Sequence, residues 1–178
     1  MLRFKEFTGF LLKNIVLPTV VIILVMQFIL VNAKIPTGSM ENTIMPGDRV
    51  IGVRLQHEFK RGDIVIFPDP DGSDMYLIKR IVGLPGETIG FQNNGLSGHA
   101  ETLINGNVLT EDYLREAMDP VETPVEYEIP QDSYFVMGDN RNESYDARYW
   151  EHKFVKKEDI IGVAKFKYWP LTQVQFFH

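Results

Sequence analysis

The sequence predicts an all-β body behind one N-terminal transmembrane helix. Residues 15–31 read IVLPTVVIILVMQFILV, with no charge and only Thr19 and Gln27 as polar interruptions. After Lys34 the chain breaks into short apolar runs separated by Gly, Pro, Asn and Asp, a pattern of strands and turns. Basic residues stand ahead of the apolar stretch. Up to Ala33 the chain carries Arg3, Lys5 and Lys13 against Glu6, a net +2, which leaves −8 for the rest of a chain whose total is −6. That bias follows the positive-inside rule, with the N-terminus in the cytoplasm and the body outside.

Taken in order, the first element is the anchor. Adding Phe10-Leu11-Leu12, with Lys13 snorkelling, brings the span near the roughly 20 residues that a bilayer needs. Pro18 lies early in it, a kink that a membrane helix tolerates. A cleaved signal peptide is a rival reading, because Val31-Asn32-Ala33 puts small residues at cleavage-site spacing. The apolar run is longer than the roughly 7–15 residues of such a segment. A buried core helix is the other rival, and it is too uniformly apolar for a body this small to cover.

Candidate strands follow at 48–55, 63–67, 75–82, 88–91, 102–104, 108–109, 125–129, 133–137 and 160–168. Asn105-Gly106 between Ile104 and Val108 is a hairpin turn, since both residues accept positive φ. Residues 111–117 read as one short helical segment, and 69–74 as a solvated turn. The aromatic groups Tyr168-Trp169-Pro170 and Phe176-Phe177 suit either the core or a membrane interface. The absence of cysteine excludes disulfides, thiol catalysis and Cys-based zinc sites. The acidic body argues against a nucleic-acid partner.

The chemistry centres on two residues. Ser39 sits in Ile35-Pro36-Thr37-Gly38-Ser39-Met40, a few residues beyond the apolar stretch. Lys79 sits in the apolar run Met75-Tyr76-Leu77-Ile78-Lys79-Arg80-Ile81-Val82. A serine hydroxyl needs a base to become a nucleophile. None of the histidines, His57, His99, His152 and His178, lies in a catalytic context. Lysine can serve if burial lowers its pKa. In a strand Lys79 shares a face with Met75, Leu77 and Ile81, and Arg80 is flanked in the same way by Ile78 and Val82, so alternation does not choose between them. Chemistry does, because arginine stays protonated in proteins. Gly38 permits a tight turn, and the Thr37 hydroxyl and Ser39 amide are close enough along the chain to serve an oxyanion. A second polar run, Gly138-Asp139-Asn140-Arg141-Asn142-Glu143-Ser144-Tyr145-Asp146-Ala147-Arg148, follows an apolar strand. It reads either as a salt-bridged turn or as a set that orients a catalytic side chain.

These blocks resemble the type I signal peptidases, bacterial-type leader peptidases with a Ser-Lys dyad. The resemblance rests on residues 35–44, on Pro46-Gly47-Asp48-Arg49-Val50, on residues 79–87 and on residues 138–148, and it covers nearly the whole chain in the expected order. It implies coiled antiparallel sheets of the signal-peptidase/LexA-like β fold. Residues 1–33 are then the cytoplasmic N-terminus and anchor, and 34–178 an extracytoplasmic catalytic β domain, with 88–130 a small inserted subdomain. It implies Ser39 as nucleophile and Lys79 as general base, with Thr37 and the Ser39 amide as the oxyanion hole. Ser144 is expected to hydrogen-bond and orient the Lys79 amine. Asp146 and Arg148 are expected to form a supporting salt bridge, with Asp139 nearby. Ile35, Pro36, Ile44 and Ile78 are expected to line shallow pockets for the −1 and −3 side chains of a substrate. The implied activity is removal of signal peptides from secretory preproteins at Ala-x-Ala sites, by a monomer in the cell membrane, without metal or cofactor. Asn42 and Ala147 depart from the family's usual proline and serine. A self-cleaving repressor protease would need a DNA-binding segment, and an inactive peptide-binding relative would not need both Ser39 and Lys79.

Overall fold

The computed structural model describes residues 2–56 and 58–177, with side chains from Glu6 onward. Met1, His57 and His178, and the side chains of the basic Arg3 and Lys5, lie outside the described residues. The chain opens with one continuous helix. It is α-helical over Leu2–Leu11 (α1) and Leu17–Leu24 (α2), with π-helical turns at Leu12–Val16 and Val25–Ile29. Its apolar part, Glu6–Ile29, has 24 residues and none of its most apolar window is buried. At 1.5 Å per residue that is about 36 Å, enough to cross a bilayer. Pro18 lies inside this continuous helix, just after the first π-helical turn, where a local adjustment of the ladder accommodates its missing N–H.

The body is β, in two antiparallel sheets. The strands are β1 (Leu30–Lys34), β2 (Arg49–Val53), β3 (Ile64–Pro68), β4 (Tyr76–Gly83), β5 (Thr88–Asn93), β6 (Ala100–Ile104), β7 (Asn107–Val108), β8 (Val125–Glu128), β9 (Ser133–Met137), β10 (Val155–Lys156), β11 (Gly162–Trp169) and β12 (Gln175–Phe176). The larger sheet has the order β1-β2-β11-β3-β4-β9-β10, with β12 on β11. The smaller has the order β7-β6-β5-β8. β4 and β9 are neighbours in the large sheet, so the chain leaves between them to build the small sheet and then returns. Asn105 (φ 50°) and Gly106 (φ 77°) turn β6 into β7, as a two-residue hairpin demands.

One core joins the sheets. Val65, Phe67, Ile81 and Phe135 of the large sheet pack with Ile89, Phe91 and Ile104 of the small one. Phe135 is the hub, with ring centroids 5.9 Å from Phe91, 5.8 Å from Tyr127 and 6.2 Å from Phe154. A second cluster, Ile35, Met40, Ile44, Val50, Ile64 and Ala164, lies under the Ser39 turn.

β1, β10 and β12 are strands that sequence reading misses. For β1 the cause is Gly52. The helix stops at Ile29, and Val31 pairs with Gly52, where an added Cβ would lie 2.8 Å from the Val31 side chain. The last residues of the apolar run therefore leave the helix for the sheet, and Val31, Asn32 and Ala33 are held in the pairing with β2.

Residues 111–117 are not helical. The Arg115 N–H, which a helix would aim at Glu111, donates instead to the Asp139 carbonyl. Glu111 binds the buried Arg141, with Nη1 to Oε2 at 2.8 Å, and Tyr113 lies under Arg80, 4.0 Å from guanidinium carbon to ring centroid. Arg115 reaches Glu41 at 3.1 Å. Tertiary partners hold this strap open across the polar loop. Burial raises the Glu111 carboxyl pKa, and its hydrogen bonds and charge attraction to Arg141 outweigh that and lower it. Glu111→Ala should cost about 3–5 kcal/mol, because it leaves the Arg141 charge buried without its partner. Urea unfolding in detergent micelles measures this, and a loss under 1 kcal/mol would contradict it.

Candidate active site

The Ser39 turn is closed at its base by backbone. Ile35 N–H donates to Asp48 O (3.0 Å) and Gly47 N–H to Ile35 O (2.8 Å). Within it, Glu41 N–H donates to Gly38 O (3.0 Å) and Ile44 N–H to Met40 O (2.8 Å). Met40 and Ile44 are fully buried in the cluster below. They fix the floor of the turn and leave Ser39 at its crest, 7% exposed. Asp48 is pinned by a buried ion pair with Lys167 at 3.2 Å.

Lys79 comes from the middle of β4, opposite Val65 of β3. It is 4% exposed, and its Nζ lies 2.6 Å from Ser39 Oγ. Its pKa is pushed down to about 8, chiefly by burial; Asp146 and Asp139 act to raise it and Arg148 to lower it. At pH 7 roughly a tenth of this amine is neutral and free to accept a proton, far more than at the ordinary lysine value, and it lies against the Ser39 hydroxyl. The Thr37 hydroxyl lies 3.5 Å from Ser39 Oγ, the outer limit of a hydrogen bond.

The polar loop after β9 faces this pair. Gly138 packs so closely that an added Cβ would lie 2.3 Å from both Ser39 O and Ser144 Oγ. Asp146 takes the Gly138 N–H (3.0 Å) and a two-point contact from Arg148, at 2.8 and 2.9 Å. Asp139 is held by Arg80, also at two points (2.8 and 2.6 Å), and accepts from Thr43. Both carboxylates near Lys79 are thus matched by arginines.

The structure departs from the sequence-based expectations in two places. Ser144 is buried, but its Oγ makes no hydrogen bond among the described residues, so the expected bond to Lys79 is not formed. The hydroxyl packs on Gly138 instead, while the amine is directed at Ser39. Ile44 is wholly buried in the floor and does not line the neighbouring groove. That groove, about 320 Å³, is lined by Val31, Ala33, Ile35, Pro36, Leu77 and Ile78 among others. Sequence reading gave no role to Arg80 beyond excluding it as a base. Here it is the partner of Asp139, and its place beside Lys79 was the only available signal. Nor did it single out Thr43, although that residue lies within the 35–44 block. Among the described residues no group of acidic and histidine side chains is arranged to hold a metal ion.

Lys79 also sets a stability dependence. Its pKa is lowered on folding, so the unfolded chain binds the extra proton, and stability rises with pH between about 8 and the ordinary lysine value of 10.5. Below pH 8 the cost is present in full, roughly 3 kcal/mol for a shift of this size. Lys79→Met should therefore be more stable than wild type at pH 7, with the gap closing toward pH 10.5. Urea unfolding of both proteins across pH measures it, and a gap that does not vary with pH would contradict it.

Comparison with known proteins bears on what this arrangement is. The family model described as signal peptidase, peptidase S26, matches residues 10–169. The signal peptidase I of Leptolyngbya laminosa is 34% identical over 174 residues, covering 92% of this chain and 80% of that protein. The signal peptidase I of Bacillus amyloliquefaciens is 33% identical over 174 residues, covering 92% and 89%. A crystal structure of a signal peptidase I from Enterococcus faecalis, 32% identical, aligns with a TM-score of 0.49 over 60% of this chain and 96% of that one.

Proposed function

Because this chain belongs to the signal peptidase family, peptidase S26, and is a serine endopeptidase, we propose that it removes signal peptides from preproteins with Ser39 as nucleophile and Lys79 as general base. The observation that carries this reading is the 2.6 Å contact between the buried Lys79 amine and Ser39 Oγ.

The steps follow from that contact. Ser39 Oγ attacks the scissile carbonyl while its proton passes to Lys79 Nζ. The oxyanion is met by the Ser39 N–H and the Thr37 hydroxyl, donors that strengthen as charge develops. Collapse breaks the C–N bond, and the leaving amine takes the proton back from Lys79. The signal peptide is then esterified to Ser39. Water, deprotonated by Lys79, attacks that ester, and Ser39 leaves as the hydroxyl with the returned proton. No step needs a metal or cofactor.

The groove runs along the segments that lead to Ser39 and Lys79 and is lined mostly by apolar side chains, which supports specificity for small apolar side chains at −1 and −3. Ile35, Pro36 and Ile78 are the side chains proposed to meet them. Asp146, Arg148 and Asp139 support the dyad by holding the polar loop against it.

The N-terminal helix, through Ile29, acts as a single-pass anchor in the cell membrane, short of the boundary at 33 that the sequence suggests because β1 pairs into the body. The N-terminus is cytoplasmic, the chain from β1 onward forms the catalytic domain outside, and 88–130 are an inserted subdomain. The basic residues before the helix support this orientation, and the uncovered apolar helix supports the bilayer as its partner. Ser39 follows the last helical residue, Ile29, within a short stretch of chain. Anchoring thus concentrates enzyme where substrate cleavage sites emerge. Trp169, Leu171 and Phe176 are exposed at the end of the body and are available to the same interface.

The test is cleavage of a peptide carrying an Ala-x-Ala site in detergent micelles. Wild type should cut after the −1 alanine. The rate should rise with pH through one titration near 8 and then level off, since only the neutral amine is a base. Ser39→Ala and Lys79→Ala should each lose on the order of 10³-fold or more. Full activity in Lys79→Ala would remove the dyad.

A further inference from the structure

We propose that Asn140 is a positioning residue for the oxyanion hole, fixing the peptide plane whose N–H is the Ser39 donor. The proposal rests on Ser39 being the nucleophile and goes beyond it, since it concerns a residue that does not touch the reacting atoms.

The geometry is specific. Asn140 is 1% exposed. Its side-chain Nδ2 donates to Gly38 O at 3.1 Å, and its backbone N–H donates to Ser39 O, also at 3.1 Å. One residue therefore holds the two carbonyls that bracket the Ser39 N–H. The Gly38–Ser39 peptide is not among the cis bonds of this chain. In a planar trans peptide, the C=O and the N–H point in opposite directions. Pinning Gly38 O on one side therefore aims the Ser39 N–H on the other. An amide that accepts at its oxygen is also a somewhat stronger donor at its nitrogen.

Asn140 is itself held rigidly. It precedes the 3₁₀ turn Arg141–Glu143, and Glu143 N–H returns to Asn140 O at 3.1 Å. Arg141, wholly buried, ties the same turn to Gly138 O at 3.0 Å and to Glu111 of the strap. The second sheet thus braces the loop that sets the oxyanion donor. Gly38 O has a further donor in Glu41 N–H at 3.0 Å, so losing Asn140 loosens the plane without freeing it. The expected effect is correspondingly smaller than losing a donor outright, which costs about 10²–10³-fold.

The experiment compares wild type, Asn140→Ala and the similarly shaped, uncharged Asn140→Leu, with Glu143→Ala, an exposed side chain of the same loop, as a control. It reads kcat and KM on the Ala-x-Ala peptide across pH, the affinity of a peptide boronic acid whose serine adduct carries a tetrahedral oxygen, and the melting temperature. Both Asn140 variants should lose on the order of tenfold in kcat, a fraction of the cost of a whole oxyanion donor. KM and the pH midpoint should stay unchanged, and boronate affinity should fall by the same factor as kcat. Glu143→Ala should behave as wild type. A rise in KM at constant kcat, a fall in kcat without loss of boronate affinity, or a loss matched by the unfolded fraction would overturn the proposal. Asn140→Leu carries the test if the alanine variant does not fold, since it removes the amide without adding a charge near Lys79. An active Ser39→Ala protein would instead remove the nucleophile reading on which the proposal rests.

Discussion

Keeping an amine out of water is the constraint on which the rest of this structure depends. Lys79 is buried at the centre of β4 with its Nζ 2.6 Å from Ser39 Oγ, and burial favours the neutral form. Two carboxylates, Asp146 and Asp139, act against that. Each is engaged at two points by an arginine, Arg148 or Arg80. Those pairings satisfy the carboxylates locally and limit the field that would otherwise recharge the lysine. The ion pairs around the site are therefore best understood through the lowered pKa of the amine they surround. As isolated stabilising contacts, buried pairs of this kind are worth little, because desolvation offsets their attraction.

Holding that contact requires two remote chain segments to meet within ångström tolerance. The Ser39 turn is anchored from below by Met40 and Ile44, and the polar loop descends on it through Gly138 and Asn140. The small sheet contributes at a distance. Its strap, through Glu111, Tyr113 and Arg115, touches Arg141, Arg80 and Glu41. Those belong to the polar loop, the Lys79 strand and the Ser39 turn. An insertion between β4 and β9 can brace all three because those strands are neighbours and carry the chain straight back to the site.

Much was legible in the sequence because it is local. The uncharged run 15–31 can only be satisfied by an apolar surrounding, and the short apolar runs broken by Gly, Pro and Asn specify strands and turns whatever they pack against. The Ser133–Met137 strand was read to the residue, and Asn105-Gly106 turns as its φ preferences require. Ser39 and Lys79 stood out by residue type and apolar context, and residue chemistry excluded Arg80 as the base. What the sequence could not contain is partnership across distance. Residues 111–117 have helical composition, yet the Arg115 N–H is taken by Asp139 O from another part of the chain. Leu30 and Val31 look like the end of the membrane span, yet Gly52 leaves room for them on β2. Ser144 packs on Gly138 without the bond its position suggested. Composition and periodicity thus determined the N-terminal apolar helix, the β body and the candidate side chains Ser39 and Lys79. Tertiary structure alone decided that Lys79 reaches Ser39, since that contact joins residues forty positions apart and depends on the packing of both.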